Sequence, residues 1–270
     1  MTPYLPSAQD VVRAQAIVGA YTRSRLDIIA ARPGNPAGAE ARQWGGALAL
    51  LARRFPSPYF NCVYGFCDDE LGELDGLLAW YADGGAAPRF QIFPGRPVAG
   101  TLRRLAEVGY VQEGFHATFA GATDLPEQPA AGVEVRAVVG SQDMEAFGDA
   151  YHLGWDLTDY RVPTGPWLTA PGWRLYLGLV DGRTAGAAIL YLVGGEAYLA
   201  DSAVDPAFRG RGMHRALLDR RCADAHAAGA ARIYSGAEYL SASHRNMLRK
   251  GLGLLCTEAV WMQPQPKAAG

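Results

Sequence analysis

No segment of the chain approaches the ~18 consecutive apolar residues that a membrane span requires. The opening residues, MTPYLPSAQD, hold neither a basic cluster nor an apolar stretch of the kind that directs secretion. Both absences lead us to expect a cytoplasmic protein with no membrane partner. Charge of one sign is lacking as well: 25 Lys and Arg face 27 Asp and Glu, a formal net charge of −2. With no global positive field, nucleic acid is not an expected partner. Cysteine is scarce, at 62, 67, 222 and 256, with no Cys-x-x-Cys and no histidine pair at zinc spacing, so no metal is expected. Cys62 and Cys67 have opposite parity in a strand-like run and should face opposite ways, which favours free thiols over a bridge. Neither Gly-x-Gly-x-x-Gly nor Gly-Lys-Ser/Thr occurs after a strand, which argues against a dinucleotide fold and a P-loop.

What is present is an ordinary globular composition, 49% hydrophobic and 19% charged over 270 residues, enough for one large domain or two small ones. The most informative stretch runs from Ala203 to Leu218, AVDPAFRGRGMHRALL. A strand-like run, EAYLADSAV (Glu196 to Val204), precedes it, and Asp205 and Pro206 end that strand. Arg209, Gly210, Arg211 and Gly212 then lead into a helical pattern with Met213, Ala216, Leu217 and Leu218 on one side. A strand, a glycine turn and a helix start converge several backbone N–H groups on one point. That point also lies at the positive end of the helix dipole, roughly half an elementary charge. The pattern suits a pyrophosphate; the alternative is a plain turn flanked by solvated arginines.

Val-Asp-Pro-x-x-Arg-Gly-x-Gly ahead of an amphipathic helix resembles the acetyl-CoA site of the GNAT superfamily of N-acyltransferases. Arg209, Gly212 and the flanking strand match that family's Arg/Gln-x-x-Gly-x-Gly/Ala, while His214 replaces the second small residue. Its imidazole could meet a phosphate or be an exposed polar group in the first helical turn. SASHRNMLRKGLGL (Ser241 to Leu254) resembles the family's motif B, with Ser243, Arg245, Asn246, Arg249 and Gly251 matching. Met247 stands where many relatives carry a tyrosine that protonates the leaving thiolate. The resemblance implies acetyl-CoA as cosubstrate, held by Ala203, Val204, Arg209, Gly210, Arg211, Gly212, Met213, His214, Arg215, Ser243 and Asn246.

The chain around these motifs reads as two domains of mixed α/β character, each an α+β arrangement on a mixed sheet. GATDLPEQPAAG (121–132) is aperiodic and rich in Pro and Gly, as a linker is. We place domains at 1–121 and 133–263, with a linker at 122–132 and a tail at 264–270. In the second, VEVRAVV reads as a strand and SQDMEAFGDAYHLGW as a helix capped by Ser141. Two strands turned at Asp181-Gly182 follow, then Glu196 to Val204, the glycine turn and its helix, a strand at 231–239, the motif B helix and a last strand. The order β-α-β-β-β-α-β-α-β is that of the GNAT fold. In the first half, TLRRLAEVGYVQEGFHATFA can be laid on the motif B region, with Gly109 and Tyr110 over Gly251 and Leu252. The glycine-arginine turn is replaced there by DDELGELDG, with five acids (Asp68, Asp69, Glu70, Glu73, Asp75) that would repel a pyrophosphate. This half reads as a degenerate GNAT-like domain, or else as an unrelated α+β domain.

Transfer from a thioester to an amine needs a base, oxyanion donors and an acid for the thiolate. The resemblance gives the oxyanion a backbone N–H from Ala203 or Val204. Asp201, a carboxylate within an apolar strand, is the first candidate base, with a solvent-facing role as its alternative; Glu238 and Tyr239 are the reserves, Tyr239 as a replacement acid. Trp155, Asp156 and Tyr160 are the substrate-binding candidates, with Tyr151, His152, Asp159 and Trp167 nearby in sequence. Aromatic walls with acids suit a small cationic or aromatic amine, although an i, i+4 pair such as Tyr151 and Trp155 also suits a core. Three activities are consistent with these residues: acetylation of a small-molecule amine, acetylation of a peptide or protein amine, and CoA sensing or scaffolding without turnover.

Overall fold

The computed structural model describes residues 6–55, 57–127, 130–155, 157 and 161–264, and the chain divides into two compact units. One comprises Met1–Ala117 with Leu255–Gly270, the other Thr118–Leu254. The strand from Leu255 onward, assigned by the sequence reading to the domain 133–263, thus groups with the first unit.

The first unit opens with α1 (Ala8–Ala30), whose start is fixed by a capping box: Ser7 and Asp10 each accept the other's backbone N–H. Val11, Ala14, Val18, Tyr21 and Leu26 form its buried stripe, and the helix packs on the hairpin β1 (Ala39–Trp44) and β2 (Ala47–Ala52). β3 (Cys62–Tyr64) pairs antiparallel with β2 and parallel with β4 (Arg89–Ile92). Between β3 and β4 the chain makes a 3₁₀ turn, Asp68–Glu73, and then becomes α-helical over α2 (Leu74–Asp83). At the start of this turn the Asp68 carboxylate accepts the Gly100 and Thr101 N–H groups at the start of α3 (Ala99–Glu107). β5 (Val111–Gly121) follows α3, and the last strand of the chain, β11 (Gly253–Met262), pairs antiparallel with β4 through Ala259 to Trp261. Phe90, Tyr81, Leu105 and Tyr110 lie at the centre of this unit's core.

In the second unit β6 (Val133–Ala137), β7 (Trp173–Val180), β8 (Arg183–Val193) and β9 (Glu196–Val204) form an antiparallel series. The β7–β8 turn carries Asp181 and Gly182 at φ of 50° and 74°, the left-handed pair expected of a two-residue hairpin. α4 (Gly140–Gly154) is not capped by Ser141; Val139 precedes it, and its N–H is taken by the Asp143 carboxylate, itself gripped by Arg136 at 2.6 and 2.7 Å. α5 (Met213–Ala227) joins β9 to β10 (Ile233–Glu238), which pairs parallel with β9. α6 (Ala242–Lys250) begins at a Ser241 cap and stops at Gly251, φ 101°. A buried ion pair, Lys250 to Asp219 at 2.7 Å, joins α6 to α5.

The two halves repeat a local device. α3 ends with Gly109 N–H donating to Ala106 O and Tyr110 N–H to Leu105 O; α6 ends with Gly251 N–H to Leu248 O and Leu252 N–H to Met247 O. Both are Schellman-type stops built on a left-handed glycine.

α5 lies close to its sheet because the paired Gly178 and Gly186 leave room for Met213. A Cβ at Gly178 would fall 2.1 Å from Met213 Sδ, and one at Gly186 3.1 Å from Met213 Cγ. Gly178→Val should therefore destabilise the protein by ~1–3 kcal/mol, as overpacking does. Adding Met213→Ala should recover part of that loss in denaturant unfolding; purely additive losses would show that the two sites are not coupled.

Candidate active site

The turn after β9 is built by its residue types. Asp205 accepts the Ala207 N–H at 2.8 Å, Pro206–Phe208 form a 3₁₀ turn, and Arg209 is extended. Gly210 and Gly212 then take φ of 80° and 84°, which L side chains rarely adopt. A Cβ at Gly212 would also meet the Ala130 Cβ at 2.9 Å. Gly212 is the N-cap of α5 and brings no capping side chain. The first N–H groups of that 15-residue helix are left for an external acceptor, and the dipole adds positive potential.

These groups face a cleft of about 770 Å³. Of the residues expected to hold the cosubstrate, Val204, all those from Arg209 to Arg215, Ser243 and Asn246 line it. Ala203 does not; it is buried. Met213 lies inward, 1% exposed, so it offers the cleft its backbone. Ala130, Gly154, Ser202 and Arg249 are lining residues the motif reading did not include among the site residues. Arg249 carried a signal, its match within motif B, whereas Ala130 and Gly154 come from segments with none. The donors (uncapped helical N–H groups, Arg209, Arg211, Arg215 and Arg249, and left-handed glycines) fit the pyrophosphate of a CoA molecule.

His214 turns across to α6. Its Nε2 is 3.0 Å from Ser243 Oγ and its Nδ1 is 3.4 Å from Asn246 Nδ2. Arg249 donates to Asn246 Oδ1 at 3.2 Å, which directs the amide NH₂ to His214. Nδ1 is then the acceptor and Nε2–H the donor to Ser243, leaving the serine hydroxyl hydrogen to point elsewhere. Burial, with the Arg221 charge adding to it, pulls the His214 pKa down to about 4. The ring is neutral at pH 7, and both its nitrogens are directed at α6.

β9 and β10 pair only from Ala197/Ile233 to Leu199/Ser235, and Ser235 Oγ donates to Leu199 O at 2.9 Å where the pairing stops. Beyond that the strands part. On its other edge β9 is bulged: Ala188 faces Ser202 and Ile189 faces Ala200, so Asp201 is the extra residue. Asp201 is half-buried and accepts the Tyr151 hydroxyl at 2.8 Å. The Asp205 N–H bonds Ala185 O, which sets the phase of the ladder. Alternation turns the Ala203 N–H to β8 and those of Ser202 and Val204 toward the parting strands. Of the two oxyanion candidates, Val204 has the suitable direction.

The other expected residues are dispersed. Glu238 is exposed at the end of β10, and Tyr239, 41% exposed, rests edge-on against the His244 ring at 5.0 Å. Trp155 is 43% exposed at the end of α4, whereas Tyr151, His152 and Trp167 are buried. Asp156, Asp159 and Tyr160 lie outside the described residues. Met247, at the family's tyrosine position, is buried in the core. Among the described residues no cluster of His, Cys, Asp or Glu could hold a metal ion, no helix is long and apolar enough to cross a membrane, and all four cysteines are free.

At the corresponding position of the first unit, Glu70 accepts the Gly46 and Cys67 N–H groups at 3.1 and 3.0 Å and pairs with Arg96 at 3.3 Å. Asp68 occupies the start of α3. The turn's carboxylates are thus engaged by N–H groups of the first unit itself.

Residues 144–254 match the Acetyltransferase (GNAT) family. No curated protein matches the chain. Its fold is similar to a GCN5-related N-acetyltransferase from Kribbella flavida, with 17% identity, 94% of this chain and 98% of that one covered, and a TM-score of 0.65. A GCN5-related N-acetyltransferase from Sphaerobacter thermophilus is similar over 83% of this chain and 82% of that one, with 16% identity and a TM-score of 0.61. A tandem GNAT protein from the clavulanic acid biosynthesis pathway is 13% identical over 97% and 99% of the two chains, TM-score 0.55. The family match thus covers residues 144–254, and over the whole chain the fold is similar to that of the tandem GNAT protein.

His214 gives a pH test. The unfolded ring takes a proton near pH 6.5, the folded one only near pH 4. Its contribution to stability is therefore full above 6.5 and declines as pH falls toward 4. Relative to His214→Gln, the wild type should lose on the order of 1–2 kcal/mol across that window, allowing for screening at a half-buried ring. Parallel stability curves for the two proteins would contradict the neutral ring.

Proposed function

We propose that this GNAT-family chain moves an acetyl group from acetyl-CoA to the primary amine of a small molecule, directly within a ternary complex. The observation that carries the reading is the coincidence, on one strand and the helix after it, of a helix start with no capping side chain and a parting of β9 from β10. Acetyl-CoA supplies the activated thioester: the amine nitrogen bonds to its carbonyl carbon, and the C–S bond then breaks with its electron pair leaving on sulfur.

The chain's residues serve each need of that exchange. The helical N–H groups after Gly212 and the arginines at 209, 211 and 215 hold the diphosphate. The Val204 N–H, turned into the fork, donates to the carbonyl oxygen as it gains negative charge. Asp201, oriented by Tyr151, takes the proton from the ammonium. Tyr239 returns a proton to the thiolate, the role vacated at Met247, and Glu238 stands beside it as the reserve base. Trp155 supplies an exposed aromatic wall for the acceptor. Acylation of a peptide amine and CoA sensing are separated from this reading by the acceptor panel below. We place the work in the cytoplasm, since no membrane or nucleic-acid contact is required.

Thiol release from acetyl-CoA against a panel of amines, amino acids and peptides tests the reading. A folded protein that binds acetyl-CoA and turns over none of them would leave only a sensor. Asp201→Asn should cut turnover by ~10²–10⁴-fold with acetyl-CoA affinity nearly intact, and the defect should shrink as pH nears the amine's own pKa. An unchanged pH–rate profile would move the base to Glu238.

The first unit, with Glu70 and Asp68 in place of the anion, should bind no CoA. Calorimetry on the full chain should give one acetyl-CoA per chain, and Arg209→Ala should weaken it by roughly tenfold or more, the worth of a charge-assisted contact. Two molecules per chain would restore a site to the first unit.

A further inference from the structure

A β-bulge breaks the ladder and leaves carbonyl groups short of strand partners. When they are buried, an unmatched carbonyl carries a full desolvation cost. The bulge between β8 and β9 meets this through a side chain from α5. Arg221 is 1% exposed, and its Nη1 donates to Ile189 O at 3.0 Å and to Ala200 O at 2.6 Å. Those carbonyls belong to the facing residues at the edge of the bulge, one on each strand. At its other end, Nε donates to Leu217 O, one turn back on the same helix, at 2.9 Å. A planar guanidinium with donors at fixed angles can satisfy both constraints at once; an ammonium cannot.

Asp201 follows Ala200 directly, and β9 parts from β10 just before it, after Leu199. Arg221 therefore grips the residue where the strand's phase changes, and everything beyond it depends on that grip: the Asp201 carboxylate, then the Ser202 and Val204 N–H groups. The same helix presents its N-terminus to the anion cleft eight residues earlier, at Met213.

We infer that Arg221 is a positioning residue for acyl transfer, clamping the β8–β9 bulge so that Asp201 and the Val204 N–H stand at a fixed distance from the phosphate-binding end of α5. The inference rests on the acyl-transfer reading for its kinetic consequence, and its structural consequence is independent of that reading. A residue acting only through bulk stability would change melting and leave the ratio of rate to affinity alone.

The experiment uses the full chain with Arg221→Met and Arg221→Lys. Hydrogen exchange is read first, because it needs no turnover. In the Met variant, amides from Ala200 to Val204 should exchange at least ~10-fold faster than in wild type, beyond any general rise from lost stability. Acetyl-CoA affinity by calorimetry should stay within about threefold. With an amine that the wild type acetylates, kcat should fall by ~10²-fold, the scale of one misdirected oxyanion donor. Lysine, which retains the charge and reaches one carbonyl, should recover part of both effects. If the Met variant does not fold, the Lys variant is compared with wild type on the same readouts and should show the smaller change in the same direction.

Unchanged exchange at 200–204 in a folded variant overturns the clamp, whatever the enzyme assay gives. A fall in kcat matched by an equal fall in acetyl-CoA affinity overturns the positioning role. Lysine no better than methionine does so as well. Failure of the wild type to acetylate any amine removes the acyl-transfer reading and leaves the exchange result standing alone.

Discussion

The second unit is organised around the point at which β9 ceases to pair with β10. Two parallel strands of six and nine residues could pair along most of their length, yet pairing covers three residues and stops at Leu199 and Ser235. Backbone groups released this way would normally be a cost, because buried N–H and C=O groups are almost always matched. Here they are matched by type. Ser235 takes the Leu199 carbonyl and Arg221 takes those of Ile189 and Ala200. The N–H groups of Ser202 and Val204 are left facing the cleft that those residues line. Acceptors are filled from within and donors are kept for a ligand. An oxyanion and a diphosphate both want donors, which is what the proposed acyl transfer requires of this cleft.

His214 illustrates how a departure from a motif can be accommodated. A small residue at this place would let a phosphate lie against the helix start. The imidazole leaves that space by crossing to α6, where Asn246 and Ser243 hold it. Burial keeps it neutral, and the nearby Arg221 charge adds to that. The backbone N–H stays at the cleft, and the side chain becomes part of the joint between α5 and α6, alongside the Lys250–Asp219 pair. A charged ring here would be buried beside the Arg221 charge, so neutrality suits the arrangement.

Much of this was legible in the chain because the physics is local. Gly210 and Gly212 mark left-handed backbone, Asp181-Gly182 marks a hairpin, Gly251 marks a helix stop, and each is found at that conformation. The bulge was not legible: EAYLADSAV alternates acceptably with or without an extra residue, and only the facing strand reveals that Asp201 is the inserted one. Consequently the direction of the Ala203 and Val204 N–H groups could not be separated in advance. α1 was obscured for another reason, since its inward face includes Thr22 and Arg25, which blur an apolar stripe. The place of β11 was hidden too. Its composition says strand, but its pairing with β4 depends on the free edge offered by residues far earlier in the chain.

The first unit repeats the scaffold and inverts its chemistry. β3 and β4 are parallel neighbours joined through a helix, as β9 and β10 are, and α3 ends on the same glycine stop as α6. What differs is the turn. In the second unit two glycines and flanking arginines leave N–H donors uncapped; in the first, Asp68 and Glu70 bring carboxylates, Asp68 to the start of α3 and Glu70 to the Gly46 and Cys67 N–H groups. The substitution is self-consistent, because a turn that binds its own anion gains order without a ligand and loses affinity for one. Charge repulsion was the reason to expect that loss from the sequence. The structure adds that these carboxylates are already engaged, Asp68 by the start of α3 and Glu70 by the Gly46 and Cys67 N–H groups, and that Arg96 pairs with Asp69 and Glu70. Reversing a single charge would not reopen such a turn; the capping of α3 and the Glu70 contacts would both have to be dismantled.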